Sequence, residues 1–97
     1  MIKHRLSKDA DGDLKEIYIY SLENFGLVHA KKYKSDLGEQ FLALCGNPDI
    51  GVSFDHVKTG LRRCVYRSHS IYYRHEGGHI LILRLFGHRQ DPARHFR

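Results

Sequence analysis

The residues able to do chemistry in this chain gather in its second half. Residues 52–97 carry 9 Lys/Arg against 3 Asp/Glu, and eight of those nine cations are arginine. Residues 1–51 carry 7 against 8. Arginine presents a planar fork of donors matched to carboxylates and phosphates, whereas a merely solvated face would usually mix in lysine. Arg62, Arg63, Arg67, Arg74, Arg89 and Arg94 are the candidates for such recognition. The closing run His88-Arg89-Gln90-Asp91-Pro92-Ala93-Arg94-His95 sets a group titrating near neutrality among cations. RNA cleavage could use that pairing, with histidine moving a proton and arginine stabilising a pentavalent phosphate. His88, Arg84, Arg89 and His95 would carry it, but no matching base stands out on the preceding strands. The eight histidines show no H-x-x-x-H pair on a helix and no Cys/His ligand spacing, so no metal site is expected. P-loop, nucleophile-elbow and paired-carboxylate patterns are absent as well. The chemistry on offer is recognition of an acidic partner: nucleic acid, an acidic protein tail or an acidic enzyme surface.

The elements that must position these residues follow from periodicity. A length of 97 residues with 41% hydrophobic content suits one domain with a modest two-layer core, spanning 1–97. Met1–Leu6 alternates enough for a short strand. Ser7 offers an N-cap hydroxyl, and Asp9, Asp11 and Asp13 place negative charge at the positive end of a helix dipole. Ala10, Leu14, Ile17, Tyr18, Ser21 and Phe25 then fall on one helical face. Gly26 suits a left-handed C-cap. A second helix carries Ala30, Tyr33, Leu37, Phe41 and Leu44 as its stripe and stops at Gly46-Asn47-Pro48. A connection of about two residues makes the helices antiparallel. Ile19, Tyr20, Val28 and Leu42 lie off both stripes, and Ile19, Tyr20 and Leu42 are candidate anchors for a docking partner.

Asp49–Gly60 reads as a loop. Leu61–Arg67, His69–Glu76 and His79–Phe86 read as three strands, turning near Ser68 and at Gly77-Gly78. Apolar residues on both faces make the last strand central. By simple alternation Arg84 shares a face with Ile80, Ile82 and Phe86, and a half-buried arginine there calls for a carboxylate partner. The expected class is α+β in two layers: an N-terminal strand, an antiparallel helical hairpin, then a three-stranded antiparallel meander. The tail after Phe86 is expected to add little to the core. No stretch approaches the ~18 apolar residues of a membrane span, and the N-terminus has no apolar signal region. Cys45 and Cys64 are expected to be reduced, buried thiols.

The helix-one pattern ADGDLKEIYIYSLENFG, the Asn47-Pro48-Asp49-Ile50-Gly51 link and the Gly60-Leu61-Arg62-Arg63 opening resemble those of ParE toxins, in the RelE/ParE superfamily. Ser68-His69-Ser70-Ile71-Tyr72-Tyr73-Arg74, Ile82-Leu83-Arg84-Leu85 and Arg89-Gln90-Asp91-Pro92 extend the resemblance over almost the whole chain. Many of those toxins place histidine directly after the last strand and methionine before Asp-Pro; here Gly87 and Gln90 stand there. The resemblance implies the poison half of a bacterial type II toxin–antitoxin module, cytoplasmic, without cofactor or membrane. Such a toxin binds DNA gyrase, traps it on cleaved DNA and is neutralised by a ParD-like antitoxin, through which alone it meets operator DNA. It implies a non-enzymatic inhibitor, and the arginine forks and the polar tail make Arg62, Arg63, Arg67, Arg74, His88, Arg89, Asp91 and Arg94 its expected target surface. The alternative is a RelE-like ribosome-dependent mRNA endoribonuclease.

Overall fold

A computed structural model of the protein describes residues 2–87 and 92–96. Strand β1 (Lys3–Leu6) leads into helix α1 (Lys8–Phe25) through Ser7. That serine accepts from Ala10 N at 2.9 Å, as an N-cap should. It also donates its hydroxyl to Leu83 O at 2.8 Å and its amide to Ile82 O at 2.8 Å, so one residue caps the helix and fastens it to the last strand.

Helix α2 (Leu27–Gly46) follows after Gly26 alone, not two residues. Gly26 takes φ 90 and ψ 170, a positive-φ but extended geometry rather than the left-handed helical cap expected. The whole α2 stripe, Ala30, Tyr33, Leu37, Phe41 and Leu44, is buried. On α1 the stripe holds through Ser21 but fails at Phe25, which is 60% exposed. Residues 22–29 are exposed throughout, so the hairpin end projects past the sheet. Periodicity defines a face but does not say where the layer beneath it stops.

The sheet has five strands in the order β1-β5-β4-β3-β2. Strands β3 (Arg62–Tyr66), β4 (His69–Glu76) and β5 (His79–Gly87) form the expected meander. The additional strand is β2 (Val52–Ser53), inside the stretch read as loop; two residues are too few to show alternation. β1 pairs in parallel with β5, which is therefore interior. A register shift puts Tyr72 opposite Arg84 but Tyr73 opposite Ile82, so β5 carries one extra residue there. This bulge overturns the simple alternation: Ile80, Ile82 and Leu85 pack under the helices, whereas Leu83 and Phe86 face the other way. Arg84 shares its face with Phe86, not with Ile80 and Ile82.

The helix-side core joins Leu37, Phe41 and Leu44 to Cys64, Ile71, Tyr73, Ile80, Ile82 and Leu85. A smaller cluster on the opposite face holds Leu61, Tyr72 and Phe86, with Phe54, Val57, Leu83 and Phe96 against it. Phe96 follows the short helix α3 (Pro92–His95), and its ring lies 5.4 Å from Tyr72 and 5.8 Å from Phe86. The tail thus contributes to packing, contrary to the expectation from sequence.

Tyr73 ties the far end of the sheet to the incoming chain. Its hydroxyl donates to Pro48 O at 2.7 Å and accepts from Gly51 N at 2.9 Å. A Cβ on Gly51 would lie 2.7 Å from that hydroxyl and from Arg63 O, so only glycine fits there. Burial pushes the phenols of Tyr73 and Tyr33 above their ordinary value. A phenol raised on folding contributes stability that is intact below the unfolded value of about 10 and lost as pH rises through the folded value. The melting temperature should therefore be flat near neutrality and fall beyond pH ~10. Tyr73→Phe should cost about 1–2 kcal/mol at pH 7, by orphaning Pro48 O and Gly51 N, and should blunt the alkaline fall. Thermal melts across pH read both effects.

Candidate functional site

The sheet face turned away from the helices concentrates cations and aromatic rings. Arg63 on β3, Tyr72 on β4 and Arg84 on β5 stand in one cross-strand row. Tyr72 is 5.7 Å from the Phe54 ring and 5.2 Å from the Phe86 ring. The Arg63 guanidinium lies 5.1 Å over Phe54, and that of Arg84 lies 4.7 Å over Phe86. Arg74 follows two residues after Tyr72, with its Nη2 paired to Glu76 and its stem against Gly60.

Arg62 and Arg67 point elsewhere, so the six singled out from sequence do not form one surface. Arg62 turns to the incoming chain, donating from Nε to Gly51 O at 3.0 Å and from Nη2 to Asp49 O at 3.4 Å. Arg67 occupies the β3–β4 turn with φ 51, its guanidinium 5.6 Å over Tyr66. Arg94 is exposed on α3. His88, Arg89 and Asp91 lie outside the described residues, as does the side chain of His95.

Arg84 finds the carboxylate that its position demanded. Its Nε and Nη2 donate to the two oxygens of Asp13 at 2.8 and 2.9 Å, and the amide of Leu85 donates to the same carboxylate at 3.0 Å. β1 is paired only as far as Ile82, so Asp13 takes up the β5 backbone beyond it. The hydrogen bonds to Asp13 outweigh burial and raise the Arg84 pKa further, holding the fork charged and committed. An arginine committed in this way is poorly placed to serve a cleavage reaction.

The helical layer offers a separate surface. Ile19, Tyr20 and Leu42 are 51%, 62% and 51% exposed. Ile19 lines a groove of about 260 Å³ between the helices with Asp11, Leu14, Lys15, Tyr18 and Lys34. Tyr20 lines one of about 270 Å³ on the other flank of α1, with Asp13, Glu16, Ile17, His69, Leu85 and Gly87. Leu42 lies far along α2, roughly 13 Å farther from the hairpin end than Ile19 at 1.5 Å per residue, so the three anchors mark an extended track and not one spot. Exposed Leu22, Phe25, Leu27 and Val28 extend the apolar surface to the hairpin end. Sequence reading also missed the Tyr33 hydroxyl bonded to His69 Nδ1 at 2.7 Å, since nothing local connects the two.

Cys45 and Cys64 are free and buried, and burial pushes the Cys45 thiol up. Among the described residues no group of three His, Cys, Asp or Glu is placed to hold a metal, and no helix is long and apolar enough to cross a membrane.

The profile of the ParE toxin of type II toxin–antitoxin systems, parDE, matches residues 5–92. The chain belongs to the ParE toxin family. Toxin ParE1 of Caulobacter vibrioides is 30% identical over 95 residues, 98% of each chain. Toxin ParE1 of Mycobacterium tuberculosis is 30% identical over 93 residues, 95% of each. A solved structure of a chromosomal ParDE system from P. aeruginosa superposes with a TM-score of 0.77 at 26% identity, covering 90% of this chain and 96% of that one. A conserved hypothetical protein from Helicobacter pylori shares the fold at a TM-score of 0.54 and 18% identity, over 93% of this chain and 98% of its own. This ParE-family toxin thus keeps the two-helix, mixed-sheet frame throughout.

Proposed function

We propose that this toxin binds DNA gyrase, holds it on cleaved DNA and so blocks replication, and that a ParD-like antitoxin neutralises it. The observation that carries this reading is the family match from residue 5 to residue 92, which spans both long helices and all of the sheet but the first two residues of β1. The toxin acts by binding, without a cofactor, in the cytoplasm. Operator DNA is reached only through the antitoxin. Arg63, Arg74 and Arg94, with the tail residues His88, Arg89 and Asp91, make the target surface; Arg62 and Arg67 frame it at the two ends of β3. A net charge of +5 suits both an acidic antitoxin segment and a target that handles DNA.

The antitoxin lies along the helical hairpin, with Ile19, Tyr20 and Leu42 as anchors. A segment that is disordered when free and folds on docking gains wide contact and loses part of it to ordering. Replacing all three anchors with serine should weaken the toxin–antitoxin complex by about 2–4 kcal/mol without lowering the melting temperature, because all three are exposed. Calorimetric titration with the antitoxin encoded beside the toxin reads this directly; unchanged affinity returns the three to ordinary surface. In cells, expression should arrest growth with DNA damage signalling and intact mRNA, and the same antitoxin should relieve it.

A further inference from the structure

We propose that Arg63 and Arg74 form a subsite for a phosphodiester group of DNA on the sheet face turned away from the helices. This inference rests on the gyrase reading, which places the toxin beside DNA that the enzyme has cut. Arg63 is opposite Tyr72, and Arg74 lies two residues further along β4, so the two are diagonal neighbours. Diagonal positions on one sheet face are about 7–8 Å apart, within reach of two long side chains converging on one anion.

One observation sets this pair apart from the other cations, and two more single out Arg63. The Nε atoms of Arg63 and Arg74 are buried and have no hydrogen-bond acceptor, and they are the two side-chain atoms of that kind among the described residues. A buried donor without an acceptor is costly, so each guanidinium keeps donor capacity that an incoming oxyanion would use. Arg62, Arg74 and Arg84 have carboxylate partners in Asp49, Glu76 and Asp13, whereas Arg63 has none among the described residues. Its guanidinium stacks over Phe54, which strips water from one side and leaves the charge in place. A partly desolvated, unneutralised cation attracts an anion more strongly than a solvated one.

The geometry favours phosphate over carboxylate. A single arginine fork satisfies a planar carboxylate, whereas forks from two strands approach from two directions and suit a tetrahedral group with several acceptor oxygens. Phe54 flanks Arg63 and Gly60 flanks Arg74. The outer NH groups therefore meet the anion first, and engaging the buried Nε atoms entails a shift of the 54–60 loop. Asp55 holds that loop closed by accepting from Gly60 N at 2.7 Å and from the Ser53 hydroxyl at 3.0 Å.

The experiment is fluorescence anisotropy of a short labelled DNA duplex with a single-stranded end, titrated with the whole protein in the absence of gyrase. Arg63→Lys and Arg74→Lys should each weaken binding about fivefold or more while their melts stay unchanged, because a point charge replaces a fork. If both hold one phosphate, the double variant should lose little more than the worse single one. Arg63→Gln should lower the slope of log K against log salt by about 1. Lysine variants that bind like the wild type, absence of DNA binding, or an acidic peptide that displaces DNA at equal concentration would each overturn the subsite. Gyrase supercoiling is assayed separately on the same variants. Absence of arginine-dependent DNA binding in a protein that still inhibits gyrase overturns the subsite and leaves the gyrase reading standing. Arginine-dependent DNA binding in a protein that never inhibits gyrase supports the subsite and overturns that reading.

Discussion

Asp13→Ala should destabilise the protein by about 3 kcal/mol, with a fall in melting temperature of more than ~10 °C for a chain of this size. One carboxylate accepts three hydrogen bonds, two from the Arg84 fork and one from the Leu85 amide, and the two side chains are only 11% and 20% exposed. Removing it leaves a nearly buried guanidinium without a counter-charge and a strand amide without an acceptor, both at the point where β1 stops covering β5. The loss comes mainly from what is left behind and not from the net worth of the pair. Asp13→Asn keeps an acceptor for Leu85 and should cost about half as much. Combining Asp13→Ala with Arg84→Met removes the stranded charge and should recover part of the loss. Thermal melts of the four proteins decide the matter. An Asp13→Ala protein that melts like the wild type would show that the carboxylate holds nothing that water cannot replace.

Deleting Asp91–Arg97 should abolish growth inhibition and also lower stability by about 2 kcal/mol, since Phe96 is half-buried against Tyr72 and Phe86. Two point variants separate these effects. Phe96→Ala should reproduce most of the fall in melting temperature. Arg94→Ala, at an exposed position, should shift stability by less than about 0.5 kcal/mol yet weaken growth inhibition. The antitoxin should still bind the Arg94 variant, because the hairpin track is on the other layer. A truncated protein that remains fully toxic would move the target surface onto the sheet and hairpin.

The parts of the molecule legible in sequence are those governed by local rules. The α2 stripe from Ala30 to Leu44 repeats every three or four residues, and every member is buried. Ser7 and Gly77-Gly78 announce a helix start and a hairpin by their own chemistry. What escaped depends on distant partners. Asp13 read as a dipole-favouring acid of the first helical turns, yet its main role is met 71 residues later at Arg84. The β5 bulge is imposed by pairing with β4, and period-two reasoning cannot count an extra residue. Phe25 and Phe96 failed in opposite senses for one reason. A residue at the end of an element is buried or exposed according to what lies past that end, and its own periodicity is silent on that. Within the candidate site, residue type picked out the arginines, but only register showed that Arg63, Arg74 and Arg84 share a face while Arg62 does not.

The most direct measurement is DNA cleavage by purified gyrase in the presence of the purified toxin. Supercoiling should fall as toxin is added, linear DNA covalently bound to gyrase should accumulate, and the ParD-like antitoxin should reverse both. Undisturbed supercoiling with no trapped DNA, together with ribosome-dependent cleavage of mRNA by the same preparation, would contradict the account.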